Sequence, residues 1–405
     1  MPAILEKASR LVANGLVRPL TSYSHRNSRL WLFGHQDGAF GGNSKFLFLW
    51  VVTHRPDICV FWITHRPEVL AELEMHGLPV LLRGTARAAR AALDAGVYFY
   101  CHGPEDVSIA LGGGAALVNL WHGIGLKTTR FGDPRSNASI YSNPELGWAR
   151  RTLGLGSRLE PDLLITTSPF TQAHFADQFR LPPARCPPCG YPRLDYGRDK
   201  ELDILVERLD GPKVAALRRD EPAEVYVYAP TYRDSARGFL AEAFPDRRRI
   251  NDILEERNAL LYLRLHPHTP VPHDWAHQRI RLWPKDVDLY SAFPSLDALI
   301  TDYSSLHYDW IKQSDGGAVL YTFDQAQYEA QDRSLLYPFD ENVAGWRARS
   351  FEELVELIGS GKALQSHRGV PELRAKFWGH ETGPASPRIV AAVEAYMAIG
   401  DAAAA

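Results

Sequence analysis

The chain has 405 residues, which favours two or three domains, and 45% of them are hydrophobic and 23% charged, as in an ordinary globular protein. The net charge of −3 gives no global electrostatic reason to expect nucleic-acid binding. No apolar run reaches the roughly 18 residues of a membrane-spanning helix, and no secretory signal is evident, so a cytoplasmic location is predicted.

The N-terminal segment, residues 1–28, carries a helical pattern over residues 3–20. Its apolar residues fall on one face of the helix, whereas Lys7, Arg10 and Arg18 lie among the remainder. A basic amphipathic helix of this kind could lie on an anionic membrane surface, which would make the protein peripheral on the inner face of the cell membrane. The alternative is a helix that packs on its own domain.

Strand and helix patterns then alternate at short spacing. The predicted strands of the first half are 29–34, 58–64, 79–82, 97–101, 115–121 and 163–167. Helices are predicted after Pro67 and over 85–95 and 144–153, with Asn43 or Ser44 capping a helix to about Thr53 and Ser168 capping one over 169–179. This alternation predicts a parallel sheet with helices on both faces.

A domain boundary is predicted within about 195–222, a charged and helical stretch, and the alternation of strands and helices resumes after it. The predicted strands are 224–229, 260–265, 281–283, 296–301 and 318–323, and the predicted helices are 248–257, 288–293, 306–313, 351–360, 371–377 and 387–399. We therefore predict an α/β protein with two parallel-sheet domains of similar size facing each other across a cleft. The last helix could cross back to the first domain.

The most informative stretch runs from Asn119 to Lys127. The apolar run 115–120 predicts a strand that delivers His122 onto a Gly123–Gly125 turn, five residues before a lysine. Imidazole exchanges protons near neutral pH, which suits proton abstraction beside an anionic group. A structural histidine in a sharp turn explains the stretch equally well. Ligands of parallel sheets bind outside the carboxyl ends of the strands, where His35 and Asn43 also follow a predicted strand.

Three strand ends of the second half offer the parts of a phosphate site. The turn Thr301–Ser305 brings hydroxyls and backbone amides to a helix start, where unsatisfied N–H groups bind anions. Ser304 or Ser305 could also simply cap that helix. His266 could donate a hydrogen bond to a leaving phosphate, and Arg233 offers a forked guanidinium suited to phosphate oxygens.

The cysteine spacing and a run of three glycines give weaker functional signals. Cys186 and Cys189 have CxxC spacing, but no second cysteine pair follows, so reduced thiols are predicted and not a zinc or redox centre. The triple glycine 112–114 precedes a strand and does not join a strand to a helix, which argues against a dinucleotide site. No aspartate-rich cluster is apparent, so the sequence requires neither a metal nor another cofactor, although Mg²⁺ could arrive with a substrate.

Six motifs occur in an order and spacing that cover roughly residues 30–365. They are Trp121-His122-Gly123-x-x-Leu126-Lys127, Ser168-Pro169-Phe170, Gly190-Tyr191-Pro192-Arg193, Ala229-Pro230-Thr231-Tyr232-Arg233, Leu265-His266-Pro267 and Thr301-Asp302-Tyr303-Ser304-Ser305. Together they resemble the CDP-glycerol glycerophosphotransferase family, the TagB/TagF-like polymerases and primases of teichoic acid and capsule synthesis.

The resemblance implies a GT-B-like fold of two Rossmann-like domains. It implies an acceptor domain over 29–200, a CDP-donor domain over 220–385 and a C-terminal helix and tail over 386–405. The implied reaction transfers glycerol phosphate or another polyol phosphate from CDP-glycerol or CDP-ribitol to a hydroxyl of a glycan or lipid-linked acceptor, releasing CMP.

The resemblance also implies roles for residues at matching positions. His122 would deprotonate the acceptor, and His266 would stabilise or protonate the leaving phosphate. Thr301, Ser304 and Ser305 would hold the pyrophosphate with Arg233 nearby. Asp309, in the helix after that turn, matches an acidic position of the family and would support the site. Apart from the resemblance, Lys127 could bind an acceptor phosphate or simply neutralise its loop, and Ser168 could donate to a substrate or only cap its helix. Asn43, which follows a strand end, is a further candidate for a supporting or acceptor-binding role.

The chain departs from the family pattern in several places. Ile124-Gly125 stand where the family usually has Thr-Pro, Tyr232 stands where it commonly has Trp, and the long extra N-terminal region of larger members is missing. These departures put acceptor fit, control of polymer length and strong membrane attachment in doubt. Two other readings stay open, a GT-B glycosyltransferase that uses a nucleotide sugar and a non-catalytic scaffold, although the presence of both His122 and His266 speaks against the scaffold.

Overall fold

The computed structural model describes residues 17–125, 160–231, 233, 239–266, 269, 275, 277–331, 336–380 and 383–404. The chain divides into two compact units. The first comprises 1–122, 129–206 and 381–405, and the second comprises 123–128 and 207–380. The predicted helix 144–153 and most of the predicted N-terminal helix lie outside the described residues.

The first unit contains a parallel sheet of six strands. These are β1 Asn27–Phe33, β2 Cys59–Thr64, β3 Val80–Leu82, β4 Ala95–Tyr100, β5 Ala116–Asn119 and β6 Leu163–Leu164. Their order across the sheet is β3-β2-β1-β4-β5-β6. Leu32 pairs with Phe61 on one side and with Tyr98 on the other, so β1 lies at the centre.

The helices of the first unit follow from local sequence signals. They are α1 Arg18–Thr21, α2 Gly42–His54, α3 Pro67–Met75, α4 Ala86–Asp94, α5 Pro169–Phe179 and the C-terminal helix Ala385–Ala404. Helix α6, Lys200–Ala215, begins in the first unit and continues past Val206 into the second. Helix α2 is apolar around its circumference, and residues 46–51 are all buried, as expected of a helix enclosed by its own unit. In α1, Arg18 and Thr21 are buried and bond to the carbonyls of Ile109 and Ala110, so this end of the N-terminal segment packs on its own unit.

The second unit repeats the architecture. Its strands are β7 Glu224–Tyr228, β8 Ala259–Leu263, β9 Ile280–Leu282, β10 Ala298–Thr301, β11 Gly317–Tyr321 and β12 Trp346–Ala348, in the order β12-β11-β10-β7-β8-β9. Its helices are α7 Phe239–Ala243, α8 Arg247–Glu256, α9 Leu289–Ala292, α10 Leu306–Gln313, α11 Gln325–Gln331, α12 Phe351–Gly359 and α13 Val370–Trp378. The C-terminal helix of the first unit, Ala385–Ala404, is α14.

Both sheets therefore have the same doubly wound order. In each, the first and fourth strands of the unit are neighbours, and the chain winds outward from them in opposite directions. In open parallel sheets, the loops at the carboxyl ends of two such strands diverge and leave a crevice where ligands bind. The predicted α/β fold of two Rossmann-like domains is confirmed, and the two switch points, β1/β4 and β7/β10, are where functional side chains are expected.

Helix α14 belongs to the first unit although it ends the chain. The buried carboxylate of Asp195 accepts hydrogen bonds from the backbone N–H groups of Ala385 and Ser386, at 2.6 and 2.8 Å, and from the Ser386 hydroxyl. These groups belong to the start of α14, where N–H donors lack partners within the helix. Farther along, the Tyr396 hydroxyl donates to Asp162 at 2.9 Å.

One predicted cap is wrong. Asn43 and Ser44 lie inside α2, whose N-cap residue is Gly41, and both are fully buried. The reason is that the Asn43 side chain makes tertiary hydrogen bonds, described below, in place of a local bond to its own helix. Within the described residues, no helix is both long and apolar enough to span a membrane.

Candidate active site

Three histidines follow adjacent strands at the carboxyl edge of the first sheet. His35, His102 and His122 come after β1, β4 and β5 respectively. The ring centroids of His102 and His122 are 4.6 Å apart with planes 9° from parallel, and the centroid of His35 is 5.2 Å from that of His102, edge to face. A row of imidazoles therefore starts at the β1/β4 switch point and continues to the end of the adjacent strand β5.

Gly42 permits the approach of His35 to the start of α2. A Cβ atom at this position would lie 2.7 Å from Nε2 of His35, and the φ of Gly42 is +62°. Any other residue would meet both a steric clash and an unfavourable backbone conformation.

Hydrogen bonding selects one nitrogen of His122 for chemistry. Its Nδ1 lies 3.2 Å from the carbonyl oxygen of Cys101, which can only accept, so Nδ1 carries the hydrogen in the neutral ring. The lone pair is then on Nε2, which has no hydrogen bond to any described residue. This tautomer is the one required of a general base that acts through Nε2.

The backbone that carries His122 is strained and clamped. Trp121 has a φ of 55°, which is rare for a bulky residue and costs about 1–3 kcal/mol unless the surroundings impose it. Asn43 imposes it by donating through Nδ2 to the carbonyls of Leu120 and Trp121, at 3.0 and 2.9 Å. The buried Arg193 donates through Nη1 to the carbonyl of His122 at 2.9 Å, and its backbone N–H donates to Oδ1 of Asn43.

The environment keeps His122 neutral. Desolvation by the dense surrounding protein, followed by the positive charges of His102, Arg193 and His35, lowers the pKa of His122 well below the ordinary histidine value. The side chain nevertheless remains exposed, so solvent limits the extent of this shift and not its direction. An exposed, neutral imidazole with one free lone pair can accept a proton.

The second switch point, β7/β10, has a different chemistry. Arg233 lies between two carboxylates, with Nη1 2.6 Å from Oδ2 of Asp302 and Nε 2.8 Å from Oδ2 of Asp324. All three side chains are at most 7% exposed. Burial opposes the charge of Arg233, but Asp302 and Asp324 outweigh it and raise the pKa of the guanidinium.

This ion network fastens the loops at the switch point. Asp302 accepts from the backbone N–H of Thr231, and the Thr301 hydroxyl donates to the carbonyl of Ala229 at 2.7 Å. The ends of β7 and β10 are thus tied together. The predicted phosphate role of Arg233 stays a prediction, because the contacts that the structure shows for its guanidinium are internal.

The turn before α10 presents two partly exposed serines. Ser304 accepts a hydrogen bond from the N–H of Leu306 at 3.3 Å, whereas Ser305, the N-cap residue of α10, makes no side-chain capping bond. Thr301 ends β10, and Ser304 and Ser305 follow it in the same turn, while their role in holding a pyrophosphate stays a prediction. Asp309 is fully buried one turn farther on, where it accepts from the Tyr290 hydroxyl at 3.1 Å.

The remaining predicted residues have separate settings. His266 follows β8 and is exposed, and its carbonyl accepts from the N–H of Thr269 at 2.8 Å. Ser168 is buried and caps α5, forming a capping box with Thr171. Lys127 lies outside the described residues, as does Tyr232.

The CxxC cysteines and a group of side chains able to bind a metal ion are separate from the row of histidines. Cys186 and Cys189 are buried free thiols, and burial raises the pKa of each, to about 11 and about 12. Among the described residues, His54, Asp199 and Glu201 form a group spaced closely enough for a metal ion. Asp199 there already pairs with His54 at 3.3 Å and accepts from Nε1 of Trp50 at 2.9 Å, which accounts for the group without an ion.

His102 is the site residue that the motifs did not reveal. It follows a predicted strand, 97–101, and the strand-end rule that selected His35 and His122 would also have selected it. What the sequence cannot supply is the parallel stacking of His102 on His122, since that depends on the order of strands across the sheet.

Known proteins resemble this chain in sequence and in fold. The family profile described as CDP-Glycerol:Poly(glycerophosphate) glycerophosphotransferase matches residues 20–395. A teichoic acid ribitol-phosphate primase of Bacillus spizizenii is 26% identical over 244 residues, which cover 59% of this chain and 60% of the primase. A teichoic acid glycerol-phosphate transferase of Staphylococcus aureus is 26% identical over 290 residues, covering 67% of this chain and 69% of that protein.

Among solved structures, the wall teichoic acid polymerase TagF is similar along nearly the whole chain. The superposition has a TM-score of 0.69 and covers 97% of this chain and 98% of the compared polymerase chain, at 18% identity. This likeness establishes a shared fold.

Proposed function

Because the chain belongs to the CDP-glycerol:poly(glycerophosphate) glycerophosphotransferase family, we propose that it transfers a polyol phosphate from a CDP-activated donor to an acceptor hydroxyl, releasing CMP. The donor would be CDP-glycerol or CDP-ribitol, and the acceptor a teichoic-acid-like, capsular or lipid-linked glycan. The observation that carries the proposal is the placement of His122 at a strand end, with Nδ1 against the Cys101 carbonyl and Nε2 without a hydrogen bond to any described residue.

In the proposed reaction, Nε2 of His122 takes the proton from the acceptor hydroxyl as its oxygen attacks the phosphorus that bears the polyol. The bond between that phosphorus and the oxygen bridging to CMP breaks, and CMP leaves with the electron pair. A positioned general base contributes about 10²–10⁴-fold to such a step. His266 is proposed to donate a proton or hydrogen bond to the leaving phosphate.

Donor binding is proposed for the turn before α10. Phosphoryl transfer spreads negative charge over oxygens, so fixed donors supply most of the stabilisation. The hydroxyls of Ser304 and Ser305 are partly exposed at a helix start, which supports their assignment to the pyrophosphate. Thr301 and Arg233 are proposed to act here by holding the turn in place, because both are buried in internal contacts.

A membrane-proximal location is the finer part of the proposal. Leu20 and Tyr23 are 71% and 89% exposed beside the basic N-terminal segment, an arrangement that suits contact with an anionic surface. We expect deletion of residues 1–16 to reduce sedimentation with anionic liposomes. Equal sedimentation of the full and shortened chains would remove this part of the proposal.

The reaction is tested with the full chain, CDP-glycerol or CDP-ribitol, and a lipid-linked glycan acceptor, by measuring CMP release chromatographically. We expect CMP with at least one of the two donors and only in the presence of acceptor. A UDP-sugar is tested in parallel. Turnover of the UDP-sugar without CMP from either CDP-polyol would identify a GT-B glycosyltransferase and overturn the proposal.

A further inference from the structure

The ring of His102 is placed to act on His122. The two imidazoles stack at 4.6 Å and 9°, while Trp121 contacts the His122 ring at 4.2 Å between centroids and 33° between planes. Cys101, the neighbour of His102, has the backbone carbonyl that accepts the hydrogen bond from Nδ1 of His122. One short segment after β4 therefore sets both the plane and the tautomer of the His122 ring.

His102 is itself held in place. Its backbone N–H donates to Oδ2 of Asp106 at 3.1 Å, and its Nδ1 lies 3.8 Å from the same oxygen. The Asp106 side chain is only 3% exposed and also accepts from the N–H of Cys101 at 3.2 Å. His35 meets the His102 ring edge-on at 5.2 Å. Because these contacts restrain His102, its stacking can restrain His122.

We propose that His102 is a positioning residue, whose ring holds the imidazole of His122 in the plane from which Nε2 can take a proton from the acceptor. The assignment rests on the proposed function, since that function makes His122 the base. His102 touches His122 and acts through it.

Stacking and charge make separable contributions. An aromatic ring at position 102 supplies the contact surface whether or not it is charged, whereas only a cationic ring disfavours protonation of His122. The ionisable groups near this pair include His35, Arg193, Asp106 and the buried thiol of Cys101, and these stay unchanged in variants of His102.

The test compares His102→Phe with His102→Ala. The phenyl ring keeps an aromatic surface, so we expect kcat of the Phe variant to stay within about threefold of wild type. The Ala variant loses the surface, and we expect its kcat to fall about 10- to 100-fold with little change in KM, because small misplacement of a reacting group is costly. Circular dichroism checks that both variants are folded.

Titration of His122 by NMR provides a readout that needs no substrate. We expect its pKa to rise in both variants, since both remove the His102 imidazole that lowers it, and the acid limb of the kcat–pH profile to move to higher pH with it. If His102 were merely structural, its variants would change stability. They would not give a kcat that depends on whether position 102 is aromatic, nor a pKa of His122 that depends on whether position 102 can be cationic.

Several outcomes would overturn the assignment. A kcat within twofold of wild type in His102→Ala would show that stacking is dispensable, and equal losses in the Phe and Ala variants would show that the ring surface is not what matters. His25→Ala, at the amino end of β1, is the matched control and should leave kcat unchanged. If wild-type protein releases no CMP, the proposed function fails, whereas the NMR titration still reports whether His102 and His122 interact.

Discussion

The carboxyl ends of the first sheet carry a row of three imidazoles, whereas the corresponding ends of the second sheet carry a guanidinium between two carboxylates. Both groups occupy the switch point of the same strand order. His122 is exposed and neutral, while Arg233 is buried and fully engaged with Asp302 and Asp324. The same backbone architecture therefore presents an exposed imidazole in one unit and holds a buried, paired ion network in the other.

The energetics of the two groups explain this division. A neutral imidazole costs little to leave at a surface, so it can be presented to a substrate. A buried charge is tolerated only when paired, and removal of one partner leaves the other uncompensated. The charges of the second unit are consequently suited to fixing loop conformation, and substitutions in the two units should fail in different ways.

The largest expected effect is on the rate in His122→Ala. Loss of the proposed base should lower kcat by about 10²–10⁴-fold while CDP affinity and thermal stability change little. CMP release and isothermal titration with CDP measure the two quantities, with His25→Ala as the control. Near-normal turnover in His122→Ala would assign the base to another residue.

The variant Arg233→Leu should lose activity because the second unit loses folding stability. It leaves two buried carboxylates without their cation, which costs about 3–5 kcal/mol, so the second unit should lose stability and donor binding together. The urea unfolding midpoint and CDP affinity test this. Arg281→Leu breaks an exposed pair with Asp220 in the same unit and should cost less than about 1 kcal/mol. Loss of CDP affinity at full stability in Arg233→Leu would instead support direct phosphate contact.

Much of this architecture could be predicted because hydrophobic runs and turn residues are local signals. Every predicted strand within the described residues has a counterpart, with ends shifted by a few residues. The strand Trp346–Ala348 was not predicted. The supposed cap at Asn43 failed because tertiary hydrogen bonds outweighed the local preference of asparagine for helix ends.

For the candidate site, the sequence indicated positions better than roles. The strand-end rule selected His122 and the turn at Thr301 because parallel strands bring their carboxyl ends to one edge. Burial of Arg233 between Asp302 and Asp324 was not predictable, since Asp324 is distant in sequence and lies in no recognised motif. The catalytic roles of His122 and His266 stay predictions.

Asn43→Ala tests the hydrogen bonds that hold the backbone before His122 in the first unit. It leaves the carbonyls of Leu120 and Trp121 without their buried donor, which should cost about 1–3 kcal/mol of stability. Because the strained Trp121 conformation then loses its restraint, kcat should also fall about tenfold as His122 moves. Denaturant unfolding and CMP release measure both effects, and Asn27→Ala, an exposed asparagine of the same unit, is the control. A stability loss with unchanged kcat would separate the clamp from catalysis.

The smallest expected effect distinguishes two histidines of lowered pKa, one in each unit. With the pKa of His122 held below 6.5, the base stays neutral at mildly acidic pH, so kcat near pH 6 should exceed that of a base with ordinary pKa by about fourfold. His307 in the second unit is fully buried, and burial, then Arg347 and His367, lower its pKa. Below pH 6.5, His307 is therefore protonated in the unfolded chain but not in the folded chain. Its contribution to folding stability is complete above that pH and declines as the pH falls.

The two titrations should consequently be separable in one set of measurements. His307→Gln keeps a side-chain acceptor for the N–H of Ala344 and removes the ionisable ring, so it should flatten the decline of the urea midpoint between about pH 6.5 and 5. The kcat–pH profile, measured where both proteins remain folded, should be the same for this variant and wild type, because the base belongs to the first unit. A profile with its acid limb at pH 6.5 would mean that burial and the neighbouring charges do not lower the pKa of His122. An unchanged decline in His307→Gln would assign the acid sensitivity to other groups.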